Sequence, residues 1–320
     1  MSTIIAVTLS ILVVTFVVLN IIYKHSRAFN NRHQYIERFR KVPSDLDIVN
    51  IGSYPSYYDF DWSVAENLSG YNLAMGPEGF RYDSRIFEYY HPHIKKGGIV
   101  VVVVVCPLSF GDNDYMRSKG FSDRYVNILP ESMVDLSHFR YFIKKYFPLI
   151  WDAKSVARSL IKKIIKPVLS YRNRAMDDKD SAARIKENAD NLVDGWLHTN
   201  PLLKNFKEAE QRIRFEPFFQ ENIKDLKSII DSAILYNLKP VIVVPPVSKY
   251  LRSYFSEEFV NAFVFDNLRG FYDKCAVFDH HNDCEYEDID SYTNGLFLNR
   301  EYAARFTQKV LKELEEASLI

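Results

Sequence analysis

The chain has 320 residues, 47% of them hydrophobic and 26% charged, with 41 basic side chains balanced by 41 acidic ones. That composition belongs to an ordered globular protein and excludes a disordered, charge-driven tail. Zero net charge, with no stacking platform or binding motif, also excludes a general nucleic-acid binder, so nucleic acid is not an expected partner.

From Ile4 to Ile22 the sequence carries no charge, and at about 1.5 Å rise per residue this length matches a bilayer's hydrocarbon core of about 30 Å. The run is apolar on every face, unlike the striped helix of a soluble core. A cleaved signal would place positive charge before it, whereas Lys24, Arg27 and Arg32 come after it. An uncleaved single-pass transmembrane anchor over residues 1–24 is therefore expected, followed by a juxtamembrane linker over 25–44. The same basic residues point the remaining chain toward the cytoplasm by the positive-inside rule.

Five apolar runs then read as strands: Leu46 to Ile51, Tyr71 to Ala74, Gly98 to Cys106, Pro240 to Val244 and Cys275 to Phe278. Their β-branched residues do not alternate with polar ones, as expected of strands covered on both faces. Between them lie helical periodicities, notably Asn222 to Tyr236, and Asn299 is placed to cap a final helix starting at Arg300. Strands alternating with helices imply an α/β fold with a parallel sheet. Residues 45–320 form this domain, with a helical insertion over about 114–214.

The insertion is where the balanced charge separates, because His138 to Arg174 holds ten Lys or Arg against one acid, Asp152. Lys144, Lys145, Lys162 and Lys163 interleave with Phe142, Tyr146, Phe147, Trp151 and Ile161, as in helices that lie on an anionic membrane surface. Membrane lipid is thus an expected partner. A helix packed on the domain with a basic solvent face gives the same pattern.

In an open parallel sheet, ligands bind outside the carboxyl ends of the strands. Ser53 follows the first strand, where a hydroxyl can serve as a nucleophile or as a plain helix N-cap. Gly76 and Gly79 follow the second, where glycine lets backbone approach a ligand or simply turns the chain. Asn113, in the Gly111-Asp112-Asn113-Asp114 loop after the third, is placed to donate to an oxyanion or to form a turn. His280 and His281 end the last strand and precede Asp283, Glu285, Asp288 and Asp290, a spacing specific to no metal. No metal or cofactor is expected. Cys275 and Cys284 lie close in sequence, and their pairing is left open.

Taken in order, these motifs resemble the SGNH/GDSL hydrolase superfamily, with a serine after strand one, a glycine after strand two, Gly-x-Asn-Asp after strand three and Asp-x-x-His before the last helix. The layout is similar to its membrane-anchored branch of D-alanyl transfer and envelope-polysaccharide acyl-transfer proteins. Asn50 to Ser53, Tyr71 to Ala74, Lys239 to Ser248 and Leu298 to Thr307 carry the likeness, which covers most of 45–315. It implies a three-layer αβα, flavodoxin-like domain outside the cytoplasm. It also implies Ser53 as the nucleophile of acyl transfer or ester hydrolysis, with Gly76 or Gly79 and Asn113 as oxyanion donors. An envelope glycan or an acyl-carrying protein would be the partner.

The chain departs from that pattern where the acid and base should stand, because Asn294 and Phe297 occupy those positions. Neither an amide nor a phenyl ring accepts a serine proton. Two readings follow: an enzyme in which His280 or His281 supplies the base, or a pseudoenzyme that keeps the fold to bind a glycan or a partner of the acylation machinery.

Overall fold

The computed structural model describes residues 2–33, 35–76, 79–106, 109–111, 119–154, 156–158, 181–199 and 212–320. Its main elements, in chain order, are α1 (Ser2–Lys24), β1 (Leu46–Ile51), α2 (Tyr54–Tyr58), β2 (Gly70–Asn72), α3 (Phe80–Tyr90), β3 (Ile94–Val103), α4 (His138–Tyr146), α5 (Ser181–Thr199), α6 (Arg212–Leu235), β4 (Lys239–Val244), β5 (Ala276–Asp279) and α7 (Arg300–Glu316). The chain divides into two compact units. One joins Met1–Lys41 to Ser118–Asp178, and the other joins Val42–Arg117 to Lys179–Ile320. The helical insertion therefore contributes to both units.

In the first unit α1 is long and apolar enough to cross a membrane, with mean hydropathy 2.7 over its span. Near its C-terminal end, Asn20 and Tyr23 face one partner segment. Asn20 donates to the Tyr146 carbonyl at 2.7 Å and accepts from the Leu149 N–H at 3.2 Å, while Tyr23 donates its hydroxyl to Asp152 at 2.8 Å. Lys144 and Lys145 lie on α4, whereas Lys162 and Lys163 lie outside the described residues.

The second unit is an α/β domain whose five strands are all parallel, in the order β2-β1-β3-β4-β5. Val100 to Val103 are fully buried at successive positions, and successive side chains point to opposite faces, so both faces of the sheet are covered. The helix pair α3 and α6 pack together, and α7 packs on the segment after α2. Asn299 caps α7 as its sequence suggests, accepting from the N–H groups of Glu301 and Tyr302.

β3 begins earlier and ends earlier than its apolar run. It starts at Ile94 and passes an irregularity in its pairing with β1 between Leu46 and Ile48. At that irregularity Gly97 takes φ +79°, and a Cβ on Gly98 would stand 2.9 Å from the Lys95 carbonyl. β3 stops at Val103 because β4 ends at Val244, where Pro245 and Pro246 have no N–H to extend the ladder. The strand order reverses direction between β1 and β3. Ligand crevices open at such a switch point, beyond the strands' carboxyl ends.

Candidate active site

The turn out of β1 is built around Gly52, whose φ of +133° suits only glycine, and a Cβ there would meet Ser56 at 3.0 Å and Val103 at 3.3 Å. Ser53 follows at the N-cap of α2, and its side chain makes no capping hydrogen bond. It is only 6% exposed. Buried amides and hydroxyls hold the turn in place. Asn50 donates to the Ser56 carbonyl at 2.6 Å and accepts from the Trp62 indole at 2.6 Å, and Ser56 donates its hydroxyl to the Ile51 carbonyl at 2.9 Å. Asn72 at the end of β2 donates to the Ser56 and Tyr57 carbonyls. Ser53 therefore sits on a rigid shelf at the carboxyl end of β1, as its position in the sequence suggests.

The chain leaving β2 runs beside this shelf, with the Met75 N–H donating to the Gly52 carbonyl at 3.0 Å. This brings Gly76 against Tyr54, and any side chain at 76 would run into the Tyr54 ring. Gly79 has a different place. It is the N-cap of α3 and has open space where its Cβ would be. Asn113 lies outside the described residues. The loop after β3 is described through Gly111, with the Phe110 carbonyl accepting from Asn222 at 3.0 Å.

The segment before α7 returns to the same shelf. Asn294 folds its side chain onto its own turn, accepting from the N–H groups of Leu296 and Phe297 at 3.1 and 2.9 Å. That turn delivers the Phe297 ring to 5.6 Å from Tyr54 and 5.2 Å from Tyr58. Next to it the Leu298 N–H donates to Asp59 at 2.8 Å, tying the returning segment to the end of α2. Asp59 is fully buried, and its second carboxylate oxygen has no partner. Burial holds its carboxyl well above the usual range, against the opposing pull of the Leu298 N–H.

His280 and His281 stand at the end of β5, three strands from β1. At about 4.8 Å per strand this is roughly 14 Å across the sheet. Both ring nitrogens of His280 face carboxylates, Asp283 at 3.2 Å and Glu313 at 3.0 Å. His281 is 2% exposed, and burial, reinforced by the Arg252 charge, pulls its imidazole down to about 4. Asp283 is bound by Lys309 at 2.5 Å and caps its own loop, as does Asp288. The carboxylates after β5 thus serve local turns and pair with His280, Lys309 and Arg252. The cysteines Cys275 and Cys284 are both free.

The structure thus brings Ser53, Gly76, Asn294 and Phe297 into one neighbourhood and keeps Gly79, His280 and His281 elsewhere. Sequence reasoning missed Asp59 and the ring of Tyr54. The aromatic density of the run Tyr54 to Trp62 was the available signal, since so many rings beside a nucleophile position leave little open space. No family model matches the chain, and no curated protein matches it either.

Proposed function

We propose that this is a membrane-anchored, SGNH-like pseudoenzyme that binds an envelope glycan on the aromatic rim above Ser53. The observation that carries the reading is the aromatic cluster in which Phe297 stacks on Tyr58 and tilts against Tyr54. A phenyl ring stands beside the serine shelf, in the position where the resemblance expects a base. Tyr54 in turn covers Gly76, one of the two glycines expected to face an oxyanion. Acyl transfer through Ser53 needs an acceptor for its proton and open space for the acyl carbon, and this rim offers rings instead.

What such a rim does well is stack. Tyr58 is 46% exposed, and Phe297 and Tyr54 are half-buried beside it. The C–H face of a pyranose packs on ring faces of this kind, and buried aromatic contacts are each worth about 1 kcal/mol. The apolar α1, uncleaved, would hold this rim at the cell surface, where an envelope polysaccharide is within reach.

A fluorescence titration of the full chain with polysaccharide extracted from its own cells tests the reading. Saturable binding is expected, weakened about fivefold to tenfold by Tyr58→Ala and by Phe297→Ala and unchanged by Ser53→Ala. No saturable binding, or equal binding by all three variants, contradicts it.

A further inference from the structure

The first unit contains a cavity of about 310 Å³ lined by His33, Asp123, Arg124, Lys144, Trp151 and Asp152 among others. Its position follows from the contacts of α1. Tyr23 is the residue after the charge-free run ends at Ile22, and its hydroxyl donates to Asp152 on the cavity wall. One turn deeper, Asn20 binds both Tyr146 and Leu149, and two turns deeper Phe16 stacks on Phe147 at 6.2 Å. With α1 across a bilayer, the cavity lies at the edge of the hydrocarbon core. The polar headgroup layer on each side is roughly 5–7 Å thick, so the cavity opens within it.

The walls are charged in a particular way. Asp152 is nearly buried and carries two donors, the Tyr23 hydroxyl and the His33 ring at 3.1 Å. Asp123 is held bidentately by Arg140 at 3.1 and 2.9 Å and by Lys144 at 2.7 Å. Arg124 adds a further guanidinium, stacked on Phe121 at 4.4 Å. The lining thus carries two cations, Arg124 and Lys144, and two carboxylates, Asp123 and Asp152, with Arg140 paired to Asp123 from outside it. Trp151 closes one side, with Lys144 4.5 Å and Arg140 5.4 Å from its ring centre. Beside it α4 exposes Phe139 at 72% and Phe142 at 42%, rings of the kind that settle at a membrane interface.

We propose that this cavity holds the phosphate headgroup of an anionic phospholipid, with Arg124 and Lys144 as its donors and Trp151 along the start of an acyl chain. Arg140 already pairs Asp123, and Arg124 and Lys144 add two cations that favour a phosphodiester carrying a neutral glycerol over one carrying choline. This rests on α1 being an anchor, which is part of the proposed function and is tested separately by alkaline carbonate extraction. Release of the chain by carbonate overturns both readings.

The direct test mixes the detergent-solubilised full chain with equal amounts of phosphatidylglycerol and phosphatidylcholine and reads the retained lipid by native mass spectrometry. Preferential retention of phosphatidylglycerol is expected. That preference should fall at least fivefold in Arg124→Gln and in Lys144→Gln and persist in Lys249→Gln, an exposed lysine of the other unit. Equal retention of both lipids, or an unchanged preference in both cavity variants, overturns the proposal. Displacement of the lipid by stoichiometric glycerol 3-phosphate overturns it in favour of a soluble phosphate.

Discussion

The ring of Phe297 lies 5.2 Å from that of Tyr58, although 239 positions separate these two residues in the chain. The loop that runs from β5 back toward α7 reaches the serine shelf at the end of β1. What it delivers there is a hydrocarbon surface, continued by Tyr54 at 5.6 Å. The same ring contacts order the site, so stability and function can be probed through the same side chains.

Replacing Phe297 with Ala removes a half-buried ring from the stack. A loss of about 1–2 kcal/mol in unfolding free energy is expected, below the value for a fully buried phenylalanine. A double-mutant cycle with Tyr58→Ala should return a coupling of about 0.5–1.5 kcal/mol, read from urea denaturation. Strict additivity would show that the two rings do not support one another.

Gly76→Ala drives a methyl group into the Tyr54 ring and should cost about 1–3 kcal/mol. Shortening the obstructing residue in Tyr54→Ala/Gly76→Ala should recover most of the loss caused at position 76. Gly79→Ala is the matched comparison, since open space surrounds its α-carbon, and thermal melts should place it near the unmodified chain.

Asp59 makes stability depend on pH in a stated direction. Burial raises its carboxyl above the value it has in the unfolded chain, so the folded state keeps the proton longer and stability falls as pH rises above the usual carboxylate range. Asp59→Asn keeps an acceptor for the Leu298 N–H and cannot ionise. Urea midpoints of the variant minus those of the parent should increase between pH 5 and pH 8. A constant or shrinking difference would show that Asp59 is ionised at little cost.

His281 acts with the opposite slope. Its folded value of about 4 lies below the ordinary 6.5, so the unfolded chain takes up the proton first. Stability contributed by the neutral ring is complete above about pH 6.5 and is lost as pH falls toward 4, a change on the order of 3 kcal/mol. His281→Gln should flatten the acid side of the stability profile over that interval, as followed by circular dichroism.

Much of this architecture is legible before any coordinates. Leu46 to Ile51 forms β1 over the residues read from the sequence because Leu46, Ile48, Val49 and Ile51 give the segment apolar residues for both covered faces of a parallel strand. Asn299 caps α7 for an equally local reason. The early start of β3 was hidden, since Lys95 and Lys96 are exposed and polar and the strand survives there only through the special backbone of Gly97 and Gly98. The joining of the first part of the insertion to α1 depends on side-chain contacts such as the Asn20–Tyr146 hydrogen bond, which leave no periodic trace. That Asn294 and Phe297 stand where the resemblance expects Asp and His could be read from the sequence. The Tyr54 ring over Gly76 is a tertiary contact that neither run announces.

Under the proposed function, Ser53 forms no acyl-enzyme. A fluorophosphonate probe applied to the folded full chain, followed by peptide mass spectrometry, measures this most directly. The account predicts no adduct on Ser53, with the unmodified chain and Ser53→Ala indistinguishable. An adduct on Ser53 that disappears in Ser53→Ala would contradict it.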